Sequence, residues 1–506
     1  MKLLCLGGIF FLSLQAGAAA AEEPQKPNVV VIYTDDQGYG DVSALNPDAK
    51  FQTPHIDRLA AEGITFTHGH SADSVCTPSR YALLTGRYPW RTAMKKGVLG
   101  AEAPCLIARE RMTVASLLKD QGYRTAMVGK WHLGMDFPGT KGDRDWSQPT
   151  RDMPLDRGFD FFCGVPASLN FGVLAWFEGR YPKTPPLLFT AKKPNARSSD
   201  YRIMPPYTRQ DGLEVAADFV DQDCLTNFTD GAIAWLKSST DGAPFFLYLP
   251  YTSPHFPICP RPEFHGQGEA GAYGEFVIET DHHVGRVLAC LDEMGVADDT
   301  LVLFTSDNGP ERVWKPRISE FDHDSRGGLR GGKRSVYEGG HRVPFIVRWP
   351  AGIARPGSEW HRPVGQVDLL ATLAALLRVE LPPDAGEDSC SFATVLTNPV
   401  SNASRPPMVV RGNGRVTRYA IIDGDWKLVL PRGEEAAELY DLTKDRSETM
   451  NLAARHPAVV VRLTAEINRI VATGRTTKGP SQANDTGYWD GLTWMTPGQY
   501  EQLAGD

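Results

Sequence analysis

What most constrains this chain is a set of short runs that are apolar at nearly every position. Asn28–Tyr33 (NVVVIY), Thr125–Gly129 (TAMVG), Phe245–Tyr251 (FFLYLPY), Thr300–Thr305 (TLVLFT) and Pro344–Trp349 (PFIVRW) are all of this kind. A strand with one face in water alternates apolar and polar residues, whereas a strand covered on both faces does not. Helical spacing lies between these runs. Val114–Tyr123 has it, with Gly122 as a stop, and Val277, Val284, Leu288, Leu291 and Met294 recur at helical intervals. Covered strands with intervening helices predict an α/β fold, a large and mostly parallel sheet flanked by helices.

The chain of 506 residues is long enough for two units. Met1–Ala21 reads as a secretory signal peptide: Lys2, an apolar run from Leu3 to Leu14, then small residues. That run is shorter than a membrane span and no second long apolar stretch follows, so the expectation is an exported protein, periplasmic or secreted, without an integral membrane segment. A catalytic unit is expected over 22–390, a polar, Pro-rich linker over 391–407, and a smaller C-terminal α+β unit over 408–475. The last of these holds a hairpin in Arg418–Leu430 turning at Asp423-Gly424, and a helix over Val459–Val471. A polar tail follows over 476–506. Residues 136–210 break the rhythm and read as inserted loops. Their Arg144, Trp146, Arg151, Arg157, Trp176 and Arg180 suit either stacking on sugar rings and contacts to anionic groups, or packing the loops together.

A formal charge of −8 argues against nucleic acid as a partner, so an anionic substrate needs a local cationic pocket. Eight cysteines in this length are no disulfide scaffold, and Cys5 leaves with the signal. The remainder leave room for one or two pairs.

In a parallel sheet, ligands bind beyond the carboxyl ends of the strands. Here Asn28–Tyr33 leads to Asp35-Asp36, Thr300–Thr305 to Asp307-Asn308, Thr125–Gly129 to Lys130 and His132, and Phe245–Tyr251 to His255. A lone Asp-Asp or Asp-Asn is usually a turn or a helix cap. Two such pairs at apolar strand ends are more than that. Three carboxylates and an amide crowded at a core edge repel unless a hard cation joins them, and their oxygens suit Ca²⁺ or Mg²⁺. Arg80, Lys130, Lys333, His132 and His255 facing the same cation would hold a tetrahedral oxyanion.

Cys76 stands in a polar turn without a neighbouring cysteine. Cys76-Thr77-Pro78-Ser79-Arg80, continued by LLTGRYP, resembles the signature of type I, formylglycine-dependent sulfatases of the alkaline phosphatase superfamily. PNVVVIYTDDQGYGD, GYRTAMVGKWHLG, SPHFP, LVLFTSDNGP and LRGGKRSVYEGGHRVPFIVRWP are similar to further segments of that family, in its order. The resemblance implies an alkaline-phosphatase-like fold and conversion of Cys76 to Cα-formylglycine by a formylglycine-generating enzyme. It implies one Ca²⁺ (Mg²⁺ being the lesser alternative) held by Asp35, Asp36, Asp307, Asn308 and position 76. It also implies hydrolysis of sulfate monoesters, either aryl sulfates or sulfated carbohydrate. One hydroxyl of the aldehyde hydrate, activated by the metal and Asp307, attacks sulfur and leaves a covalent sulfate hemiester. Lys130 and Lys333 bind sulfate oxygens, His255 protonates the leaving oxygen with help from Lys333, His132 removes the proton that lets the aldehyde re-form, and Arg80 orients the formylglycine. Two other readings compete: a phosphonate or phosphodiester hydrolase of the same superfamily, and a non-catalytic protein that binds sulfated glycans. Of the other histidines, His68 and His70 are expected beside the site at most, His282 and His283 in a structural helix, and His341 in a supporting loop.

Overall fold

A computed structural model describes residues 26–190, 212–238 and 242–505. The expected signal peptide, Met1–Ala21, lies outside the described residues.

The larger unit is built on a ten-stranded sheet. Its order is Ser358–Trp360, Ile64–Phe66, Phe345–Arg348, Thr300–Ser306, Asn28–Asp35, Phe245–Pro254, Arg124–Lys130, Phe161–Val165, Phe177–Glu178 and Tyr181–Pro182. The five strands from Thr300–Ser306 to Phe161–Val165 are mutually parallel. Val29 sits between Phe246 and Leu301, and Val31 between Tyr248 and Leu303. Val29 through Tyr33 are fully buried, which is why their run does not alternate. Phe345–Arg348 is in the sheet but runs antiparallel to Thr300–Ser306. An apolar run does not encode its own direction. On the two faces lie helices such as Val114–Asp120, capped by the Thr113 hydroxyl, and the 23-residue Gly271–Glu293.

The smaller unit is a four-stranded antiparallel sheet, Met408–Asn413, Thr417–Asp423, Trp426–Val429 and Glu438–Asp441, in chain order. Asp423 faces Trp426 across the expected hairpin turn. The helix Pro457–Ala472 covers the sheet with Leu463, Ile467, Ile470 and Val471. Trp90 of the larger unit and Trp489, Leu492, Met495 and Tyr500 of the tail complete this second core. In the 391–407 stretch, Phe392, Val395 and Leu396 are buried in the first core.

Within the described part of the 136–210 insertion, most of the candidate sugar contacts face inward. Trp146 packs on Phe137 and Phe177, and Trp176 on Phe219 and Phe228. Arg144 is paired with Glu214 at 2.8 Å and Glu102 at 2.7 Å. Arg157 reaches Asp152 and the Ile107 carbonyl, Arg180 reaches Asp156, and Arg151 is exposed. Of the two roles open from composition, these contacts support packing of the loops.

Candidate active site

The parallel register brings the polar strand ends together. Thr34 lies beside Ser306, so the next residues of both strands, Asp35-Asp36 and Asp307-Asn308, emerge side by side. The Asp36 amide donates to Asp307 Oδ1 at 3.2 Å, and Asn308 Nδ2 donates to Asp36 Oδ1 at 2.7 Å. Asp36 has φ of 65° and His132 has φ of 58°. A left-handed backbone is tolerated by Asp and costly for most side chains, about 1–3 kcal/mol, and such strain concentrates where a side chain must be aimed.

Cys76 is the first residue of the buried helix Cys76–Thr85, whose start points at the same edge, and Arg80 follows one turn later. The Cys76 thiol donates to Asp35 Oδ1 at 3.4 Å. Lys130 Nζ closes on Asp35 Oδ2. Lys333 Nζ lies 2.6 and 2.8 Å from the two oxygens of Asp36. Arg80 donates through Nε (3.1 Å) and an η nitrogen (2.8 Å) to Asp307 Oδ2, and through the other to the Lys130 carbonyl at 3.2 Å. His255 Nε2 is 3.7 Å from Asp36 Oδ2, while its Nδ1–H donates to the Phe256 carbonyl at 2.7 Å. His132 donates from Nε2 to the Leu99 carbonyl at 3.0 Å, and its buried Nδ1 has no hydrogen-bond partner. Every residue named from the sequence for catalysis or metal binding thus stands at one edge of the sheet. None is more than 7% exposed, and His255 and Lys333 are the least buried of them.

Three carboxylates, Asp35, Asp36 and Asp307, face three cations, Arg80, Lys130 and Lys333. Burial pushes Asp35 up, but Lys130, His255, Arg80 and Lys333 together outweigh it and hold that carboxyl well below its usual range. Asp307 is pushed up to about 7, by burial first and by repulsion from Asp35 next, against the pull of Arg80. Burial, Asp307 and Asp35 raise the Cys76 thiol, so these neighbours do not activate it as a thiolate. Burial, with Lys130 and Arg80, lowers His132. His255 is lowered by burial, and Asp35 and Asp36 partly offset this.

The residues fit a divalent cation. Asn308 Oδ1 is buried with no hydrogen-bond partner. Asp35, Asp36, Cys76 and His255 each present a ligand atom, all within 4.8 Å of one another. Carboxylate and amide oxygens at this density are the donor set of a hard ion. A second group, His68, His70 and Glu338, is also close enough to hold an ion. There, however, Glu338 is already neutralised by Lys427 at 2.9 Å and Arg342 at 3.2 Å. Burial holds His68 and His341 down at about 3, so both rings are neutral. With Glu448, 2.8 Å from Lys427, this is a buried junction to the C-terminal sheet. His283 is buried on the helix Gly271–Glu293 and His282 lies exposed beside it.

Three supporting groups gave no signal in the sequence. Glu311 lies 3.9 Å from Lys333 and 2.7 Å from Arg334. Arg411 and Asn413 of the C-terminal sheet both grip Asp73, in the loop that leads to Cys76. Each falls in an unremarkable stretch and acquires its role only by long-range packing.

Comparison with known proteins shows the sulfatase family. The sulfatase family model matches residues 27–379, and that described as the N-sulphoglucosamine sulphohydrolase C-terminal region matches 331–473. An N-acetylgalactosamine-6-O-sulfatase of Bacteroides thetaiotaomicron is 33% identical, covering 87% of this chain and 92% of its own. Human arylsulfatase A is 35% identical over 73% of this chain and 67% of its own. A solved structure from work on glycosaminoglycan metabolism by B. thetaiotaomicron superposes with a TM-score of 0.76 at 31% identity, covering 88% of this chain and 99% of that one.

Proposed function

This chain belongs to the sulfatase family and is a sulfuric ester hydrolase with the alkaline-phosphatase-like fold; from that premise we propose that it is an exported, formylglycine- and calcium-dependent enzyme acting on a sulfated carbohydrate. The observation that carries the reading is the gathering of Asp35, Asp36, Asp307 and Asn308 around Cys76, with Lys130 and Lys333 on the same carboxylates. Asp35, Asp36, Asp307, Asn308 and an oxygen at position 76 would hold a calcium ion, which when bound would supply Lewis-acid polarisation of the sulfate. Conversion of Cys76 to formylglycine, followed by addition of water to the aldehyde, would supply the hydroxyl nucleophile that the raised thiol does not.

The chain's own residues do the rest. Lys130 and Lys333 bind sulfate oxygens and offset charge as the ester bond breaks. Arg80 fixes Asp307 from two nitrogens and so sets the carboxylate beside the nucleophile. His255 holds its Nδ1 proton on the Phe256 carbonyl, which leaves Nε2 to carry a proton to the leaving oxygen. Burial lowers its pKa, and the bound sulfate anion favours the protonated ring. His132, protonated at Nε2, offers an unpartnered Nδ1 to take the proton whose removal releases sulfate.

Sulfated carbohydrate is supported by the relative that acts on N-acetylgalactosamine 6-sulfate, with aryl sulfates as surrogates. The 136–210 aromatics do not carry this assignment, since Trp146 and Trp176 are buried. No helix among the described residues is long and apolar enough to cross a membrane. The test is kcat/KM on 4-nitrophenyl sulfate, a matched phosphodiester and a panel of sulfated oligosaccharides, using enzyme made with the formylglycine-generating enzyme. Faster sulfate cleavage is expected. A phosphodiester preference of several orders of magnitude would favour the phosphonate and phosphodiester reading. Tight sulfated-glycan binding without turnover by converted protein would favour a binding protein.

A further inference from the structure

His132 lies two residues past the sheet strand Arg124–Lys130, and the group that fixes its ring comes from elsewhere. The Leu99 carbonyl can only accept, so His132 Nε2 carries the ring proton and Nδ1 the free lone pair. Leu99 belongs to an irregular segment whose Gly97 and Gly100 are exposed and which has no helix or strand of its own. Such a segment holds a carbonyl in place only if something else holds the segment.

Beside the Met135 amide, which donates to the Ala101 carbonyl at 3.1 Å, two side chains do this. The Thr77 hydroxyl accepts from the Leu99 amide at 3.2 Å and donates to the His132 carbonyl at 3.0 Å. The other comes from the C-terminal sheet. Asn413 Oδ1 accepts from the Gly97 amide at 2.7 Å, and its Nδ2 donates to the Gly97 carbonyl at 3.4 Å and to Asp73 Oδ1 at 3.2 Å. Asn413 is itself fixed by its backbone amide on the Ser74 hydroxyl at 2.9 Å. Its neighbour Arg411 donates to the Lys95 carbonyl at 2.8 Å, further along the same segment.

We infer that Asn413 is a positioning residue for His132: by clamping Gly97 it places the Leu99 carbonyl, which selects the ring tautomer that leaves Nδ1 as the base. This rests on the reading of His132 as the group that releases sulfate. Through the Gly97 clamp it gives the C-terminal sheet a part in the second half of the reaction, beside its hold on Asp73 and Ser74 ahead of Cys76. Lys130, Lys333 and His255, which serve ester cleavage in that reading, make no contact with the 97–99 segment through any of these bonds.

The test uses the full chain in two forms. In protein with unconverted Cys76, ¹⁵N spectra of labelled histidine report the His132 tautomer without any turnover. The wild type is expected to show one neutral form protonated at Nε2, and Asn413→Ala a mixture of both. In converted enzyme with 4-nitrophenyl sulfate, Asn413→Ala is expected to release its first equivalent of phenol within about twofold of the wild-type rate, and then to turn over about tenfold or more slowly. Asn413→Ser keeps an oxygen for the Gly97 amide without setting a second carboxylate against Asp73 Oδ1, and is expected to recover part of that loss. Asn413→Thr serves if the alanine variant does not fold. An unchanged tautomer overturns the inference, as does an equal loss in both phases. His132→Ala is the reference: if it shows no separation of first equivalent from turnover, the role given to His132 fails, while the tautomer measurement still decides the role of Asn413.

Discussion

Arg411→Met removes one cation from a buried pair and keeps most of the side chain's bulk. Arg411 and Asp73 are both fully buried, with Nε 2.5 Å from Oδ2. Breaking such a pair costs about 3–5 kcal/mol, because a carboxylate is left without its partner. A cap can be set on this, since the carboxyl can take a proton instead of staying charged. Protonating a group with a reference pKa of 3.8 at pH 7 costs 3.2 × 1.36, about 4.4 kcal/mol. Burial already raises Asp73 in the native chain, against the pull of Arg411, so the loss at pH 7 should lie below that cap, at about 3–4 kcal/mol. The sign follows from proton binding. In the variant the folded carboxyl has a raised pKa and binds more protons than the unfolded one. The penalty is therefore absent below the unfolded pKa and grows as pH rises towards the folded one. At pH 5 the same cap is 1.2 × 1.36, about 1.6 kcal/mol. Urea denaturation of both proteins at pH 7 and pH 5 reads this directly. A loss below about 1 kcal/mol at pH 7, or an equal loss at the two pH values, would refute the argument that an uncompensated Asp73 sets the cost.

Three further outcomes follow from the site. A lysine about 4 Å from a sulfate oxygen contributes roughly 4 kcal/mol at an effective dielectric of 20, so Lys130→Ala and Lys333→Ala should each lower kcat/KM on aryl sulfate by about 10³. His255→Ala should cost little with 4-nitrophenyl sulfate and about 10² or more with a sugar sulfate, whose alkoxide needs a proton; an equal loss on both would remove it as the acid. Calcium at a hundredfold excess over its Kd should stabilise the protein by about 2.7 kcal/mol, and Asp307→Asn should abolish most of that gain in a melting experiment.

The strand ends were legible because two signals coincide at them. A run buried on both faces is apolar throughout, and in a parallel arrangement all such runs finish at one edge. The sequence alone therefore brings Asp35-Asp36, Asp307-Asn308, Lys130 and His255 together. The direction of Phe345–Arg348 could not be read from it, since an antiparallel neighbour buried on both faces has the same composition. Nor could the inward turn of Trp146 and Trp176: an aromatic in a loop reads the same whether it faces sugar or core. The C-terminal supports are the hardest case. Arg411 and Asp73 are 338 residues apart, and neither stands in a pattern that marks it. Their pairing exists only because the second sheet docks beside the Cys76 helix.

The central claim, that position 76 works as an aldehyde hydrate, is tested most directly by mass spectrometry of the tryptic peptide Leu59–Arg80 alongside sulfatase assays. Several preparations with different degrees of conversion would be compared. The account predicts a peptide in which one oxygen replaces the sulfur and two hydrogens of Cys76, with kcat per molecule rising in proportion to the converted fraction. A fully active enzyme whose peptide retains the intact thiol would contradict it.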